Sequence, residues 1–126
     1  MPYVSTSEAQ NIFALHVQRI VAFVVGINNY KRINKLKNCV HDAQAIRDIL
    51  EKQGVEVVYL ENCTISQLKE KEAEYIGYVK RGYAALFFFA GHGCTFKNEP
   101  RMLTIAESNE HLVSRDSLNL YALLAK

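Results

Sequence analysis

Three short apolar runs organise the chain. Residues 20–26 read Ile-Val-Ala-Phe-Val-Val-Gly and give way to Ile27, Asn28 and Asn29. A run so continuous and so rich in β-branched residues predicts a strand buried on both faces, since a strand with one wet face would alternate polar and apolar positions. Residues 55–60 form a second such strand, and residues 84–90, Ala-Ala-Leu-Phe-Phe-Phe-Ala closed by Gly91, form a third. Between the first two the periodicity becomes helical: from His41 to Gln53, the residues Ala43, Ile46, Ile49 and Leu50 share one stripe, and Gly54 stands where a C-cap is expected. Between the second and third, Thr64 and Gln67 have the spacing of a capping box, opening a helix to about Arg81 ahead of Gly82. Residues 102–106 suit a short fourth strand. Ser114 suits the cap of a final helix from Arg115 to about Lys126, with Leu118, Tyr121, Ala122 and Leu124 or Ala125 as its apolar face.

Strands alternating with helices predict a mostly parallel sheet covered by helices, an α/β layer structure whose functional residues gather at the C-terminal strand ends. Residues 1–18 stand apart as an N-terminal extension, where Ser5 and Glu8 suggest a short capped helix through about His16 with no assigned function. Residues 19–126 are read as one domain, which a chain of 126 residues is long enough to form. Tyr75, Tyr78 and Tyr83 are read as packing residues.

Charge narrows the partners. The formal net charge is +2, and Lys31, Arg32, Lys35, Lys37, Lys80 and Arg81 are scattered instead of forming a run that neutralises phosphates, so no nucleic-acid partner is expected. The apolar runs are far shorter than the about 20 residues of a membrane span, so no membrane partner is expected either. Three cysteines, Cys39, Cys63 and Cys94, include no CxxC pair and argue for a reducing, cytoplasmic setting over a disulfide framework or a zinc module. Pairing Cys39 with His41 and His92 with Cys94 supplies zinc-type ligands but no established spacing, so no metal or cofactor is expected.

Chemistry concentrates at the end of the third strand, which runs Phe89-Ala90-Gly91-His92-Gly93-Cys94. A histidine leaving a buried strand between two glycines has an imidazole that titrates near neutrality and a backbone free to turn sharply. The Gly93 N–H is then available to a developing oxyanion. A plain turn histidine is the competing reading.

The string Phe-Phe-Phe-Ala-Gly-His-Gly resembles the histidine motif of caspase-type cysteine peptidases, above all metacaspases and paracaspases. The resemblance extends upstream through Gly26-Ile27-Asn28-Asn29-Tyr30, Leu36-Lys37-Asn38-Cys39-Val40-His41-Asp42-Ala43 and Gly54-Val55-Glu56-Val57, covering roughly residues 19–124 in the family's order. It implies a caspase-like three-layer sandwich with helices on both faces of the sheet. It also implies proteolysis by a Cys–His dyad in which His92 is the catalytic histidine and the Gly93 N–H binds the oxyanion. Cys39 and Asp42 match the family's Cys-x-x-Asp pair, whose aspartate lines S1. An unpaired carboxylate there selects a cation, so the implied substrate is a polypeptide with Arg or Lys at P1. Asp42 is equally readable as a first-turn residue favoured by the helix dipole, and Cys39 as a small buried hydrophobe.

The family's nucleophile follows its histidine by roughly 50 residues, which would fall near position 140, so the resemblance covers the N-terminal, large-subunit-like part and the fold is expected to be incomplete. Calcium, bound by many full-length relatives, would find its ligands outside this chain. Cys94 stands two residues from His92 on one tight loop, a poor geometry for a common substrate carbon. An unpaired sheet edge is then expected where the nucleophile strand adds, inviting a completing chain or a homodimer. Two functions follow: a cysteine-type endopeptidase domain lacking its nucleophile, or an inactive homologue acting as an interaction or regulatory module. A receiver-like domain shares the alternation but needs an acidic cluster or phosphate loop at strand ends, where this chain has Gly26-Ile27-Asn28 and Gly91-His92-Gly93.

Overall fold

The computed structural model describes residues 19–105 and 117–119. Strands β1 (Ile20–Gly26), β2 (Glu56–Glu61) and β3 (Ala84–Ala90) form a parallel sheet in the order β2-β1-β3. Helices α1 (Cys39–Lys52) and α2 (Ile65–Lys80) are the crossovers. Alternation along β1 divides its side chains: Val21, Phe23 and Val25 join Leu68 and Tyr75 of α2, while Ala22 and Val24 join Ala43 of α1. The helices therefore cover opposite faces, giving the expected three layers.

Both crossovers start and stop on local chemistry. In α2 the Gln67 N–H donates to Thr64 Oγ1 at 3.3 Å and the Thr64 N–H donates to Gln67 Oε1 at 2.9 Å, the expected capping box. Gly82, with φ of +99°, follows its end, as Gly54 at +80° follows α1. Helix α1 begins two residues before the expected His41, because a distant side chain caps it: Asn28 Oδ1 accepts the Val40 N–H at 3.1 Å, while Asn38 makes no side-chain cap. Ile49, expected on the buried stripe, is 58% exposed. It lies about 100° round the helix from Leu50, outside the width that the sheet covers. Tyr75 lies tilted against Phe23 with centroids 5.2 Å apart, and Tyr78 meets Tyr83 edge-on at 5.1 Å, so the tyrosines are packing residues as expected.

Beyond Ala90 the chain departs from expectation. Strands β4 (Gly93–Phe96), β5 (Glu99–Leu103) and β6 (Ser117–Asn119) form a second, antiparallel sheet. The single strand expected over 102–106 is shifted to Glu99–Leu103 and is one arm of a hairpin. Its two-residue turn, Lys97-Asn98, has φ of 51° and 62°. This is the doubly left-handed geometry that suits hairpin twist, and without glycine it carries little sequence signal. The helix expected from Arg115 is wrong over residues 117–119, where Leu118 pairs with Met102 in the ladder and tertiary pairing overrides the helical period. The rest of that segment, and the expected helix before His16, lie outside the described residues.

Candidate active site

The loop after β1 is tied down at several points. The Ile27 N–H donates to the Ala90 carbonyl at 2.9 Å. Asn62, just past β2 with φ of 48°, accepts the Asn28 and Asn29 N–H groups on its Oδ1 at 2.9 and 3.1 Å. The Asn28 carbonyl accepts from Tyr30 and Leu36, and Lys35 Nζ donates to the Tyr30 carbonyl at 3.1 Å. Gly26 allows this end of β1 to meet α1: a Cβ there would lie 2.7 Å from Ala43 Cβ and from the Cys39 carbonyl oxygen.

The loop presents a carbonyl to the histidine. His92 Nε2 is 2.8 Å from the Asn34 carbonyl oxygen. A carbonyl only accepts, so Nε2 carries the proton and Nδ1 is left as the basic nitrogen of the neutral ring. The ring is half-buried, its centroid 4.7 Å from that of Tyr30. The His92 N–H donates to Tyr30 Oη at 2.8 Å, and Tyr30 Oη donates to the Leu103 carbonyl at 3.1 Å.

The Leu103 N–H donates to the His92 carbonyl at 3.0 Å, marking these two residues as a hydrogen-bonded position of the hairpin. The next pair, Gly93 and Met102, is then a non-hydrogen-bonded one, with the Gly93 N–H turned away from β5. The chain bends at Gly91 as expected, but without a left-handed conformation: Gly54 and Gly82, not Gly91 or Gly93, have positive φ. Close approach is the reason for Gly91, where a Cβ would lie 2.5 Å from Tyr30 Oη and 2.9 Å from the Phe89 ring.

Cys39 is the first residue of α1, against the C-terminal end of β1, and Gly26 of that strand pairs with Ala90, two residues before His92. Burial, and then the Asp42 carboxylate, push the Cys39 thiol up from its ordinary range. Asp42 is in the first turn of α1 and exposed, so the described residues do not enclose it as a pocket floor. Cys63 is buried at 1% exposure, and the half-buried Cys94 packs against the same core cluster. Among the described residues no group of three His, Cys, Asp or Glu side chains is arranged to hold a metal, and no helix is long and apolar enough to cross a membrane.

Asn28, Asn34 and Asn62 carry no role in the sequence reading, and Tyr30 enters it only within a motif. Asn34 acts through its carbonyl, which has no side-chain signature. A detectable signal existed at Asn62, since asparagine just after a strand favours the left-handed conformation.

A three-layer α/β domain whose third strand delivers an oriented imidazole beside an outward backbone N–H is of the caspase-fold class. The family model for the caspase domain, Peptidase_C14, matches residues 19–124, and the chain belongs to that family. No curated protein matches the chain.

Proposed function

We propose that this domain supplies the histidine side of a metacaspase- or paracaspase-like endopeptidase that cleaves polypeptides after Arg or Lys through a Cys–His dyad. The bond from His92 Nε2 to the Asn34 carbonyl carries the reading, because it leaves Nδ1 to act as the base and gives the imidazolium a partner when it forms. In that chemistry Nδ1 takes the thiol proton as sulfur attacks the scissile carbonyl, and the oxyanion meets the Gly93 N–H. The imidazolium then protonates the leaving amine, and water, deprotonated by the same nitrogen, releases the acyl group and restores the thiol.

Cys63 is in the core, Cys94 packs against it, and burial raises the Cys39 thiol, so none is a prepared nucleophile. The nucleophile is assigned to a further segment or a second chain docking along β3. Asp42, exposed in the first turn of α1, offers its carboxylate to a cation at P1, and the docking completes the S1 walls around it. Three cysteines, none of them in a disulfide, favour a cytoplasmic setting.

Two measurements on the chain test this. Titrating a peptide ending in Arg should perturb the His92 and Asp42 amide resonances more than the same peptide ending in Asp, and Asp42→Asn should remove the difference. A peptide electrophile with Arg at P1 should leave the intact mass unchanged. His92-dependent labelling of Cys39 or Cys94 would show instead a self-contained nucleophile. The unprepared thiols also favour a second reading, an inactive homologue that binds a partner without chemistry. Absence of any preference for Arg over Asp peptides would select it.

A further inference from the structure

Tyr30 is four residues from Asn34 on the same loop and reaches His92 through its hydroxyl. The hairpin there is not a regular ladder. At a hydrogen-bonded antiparallel position both N–H groups donate across to the opposite carbonyls. At His92 and Leu103 one of the two bonds is present, from the Leu103 N–H to the His92 carbonyl at 3.0 Å. The reciprocal bond is opened, and Tyr30 Oη fills the gap, accepting from the His92 N–H at 2.8 Å and donating to the Leu103 carbonyl at 3.1 Å. One hydroxyl thus spreads the strands where the histidine leaves the sheet.

We infer that Tyr30 is a positioning residue for His92: its wedged hydroxyl sets the histidine backbone, and its ring and loop set the imidazole against the Asn34 carbonyl. Directionality supports this. The single hydroxyl proton is committed to Leu103, so a lone pair must face the His92 N–H. Tyr30 is 1% exposed, so the two bonds of its hydroxyl are made away from bulk water. Losing the hydroxyl would either orphan both groups or let the ladder close, drawing the His92 backbone toward Leu103 and the ring away from Asn34. The ring of Tyr30 also lies 4.7 Å from the imidazole, and its carbonyl holds Lys35, the neighbour of Asn34, so one residue bears on both partners of the Nε2 bond. A residue serving only to fill the core would need neither the two hydroxyl bonds nor the gap at Gly91, where a Cβ would stand 2.5 Å from Oη.

The inference rests on His92 being the base of the site, but it is read on the imidazole itself, without peptidase activity. In the full chain, long-range proton–nitrogen correlation spectra should show His92 as one tautomer with the proton on Nε2. In Tyr30→Phe, at equal folded fraction by circular dichroism, the ring should shift toward averaged tautomers, and its modification by diethyl pyrocarbonate should become several-fold faster. Gly91→Ala, which keeps the tyrosine but pushes its hydroxyl aside, should reproduce both changes. In the double variant the new methyl takes up space left by the hydroxyl, so melting temperature should fall by less than the sum of the single losses while the tautomer stays averaged. An unchanged His92 ring in folded Tyr30→Phe would overturn the inference, and if that variant does not fold, an unchanged ring in Gly91→Ala would do so. Arg-directed hydrolysis by the completed enzyme that needs His92 but is indifferent to Tyr30→Phe would also overturn it while leaving the proposed function standing. Averaged tautomers in a protein with no Arg preference would uphold it while that function fails.

Discussion

Strands β1 and β3 have the same length, similar apolar composition and a shared register in which Phe23 lies beside Phe87, yet they are covered differently. Val21 through Val25 are all 0% exposed, whereas Leu86 is 42% exposed and Ala85 is also open. The difference is in neighbours. Strand β1 has a strand on each edge and a helix on each face, and β3 is paired on one edge among the described residues. The Ala84 N–H donates to the Arg19 carbonyl and the Ala90 carbonyl accepts from Ile27, so even-numbered backbone groups of β3 face β1. Those of Ala85, Phe87 and Phe89 face the open edge by alternation. Apolar composition says that a strand is suited to burial, and its place in the sheet decides how much it receives. His92 continues the half-covered strand, which leaves the site beside an edge that a further strand can extend.

The largest expected effect sharpens this contrast. Phe23→Ala should cost about 3–5 kcal/mol in urea denaturation, as for other fully buried aromatics, and Phe87→Ala clearly less. Equal losses would mean that β3 is covered in solution. Gly26→Ala should cost about 1–3 kcal/mol, because the new Cβ meets backbone as well as Ala43 and neither can swing aside. Hydrogen exchange should be faster at the Ala85, Phe87 and Phe89 amides than anywhere from Val21 to Val25, and equal protection would show the edge paired. Leu86→Lys should change stability by no more than about 0.5 kcal/mol while reducing self-association in sedimentation, since charge on an open edge discourages pairing. The smallest change concerns Cys39, whose thiol is raised by burial first and Asp42 second. Asp42→Asn removes the like charge that disfavours the thiolate, so iodoacetamide alkylation at mildly alkaline pH should speed up modestly.

The two regions were unequally legible. The limits of β1 and β3 and the Thr64–Gln67 box could be read because each depends on a short stretch of chain: continuous apolar residues, or an acceptor and donor three residues apart. The hairpin over Gly93–Leu103 could not, because Lys97-Asn98 adopts a left-handed pair without glycine and Leu118 follows a partner strand instead of its own period. At the site, His92 and Gly93 stood out by motif and position. The contributions of Tyr30, Asn28, Asn34 and Asn62 depend on loops meeting across the C-terminal end of the sheet.

The sequence by itself determined the layers and the histidine at a strand end, since local periodicity and a strand-to-loop junction are written in consecutive residues. Only the tertiary structure decided which nitrogen of His92 carries the proton, why Gly91 must lack a side chain, and which apolar strand stays open. Each of those depends on a contact between residues far apart in the chain: a carbonyl on Asn34, a hydroxyl on Tyr30, and the order of strands in the sheet.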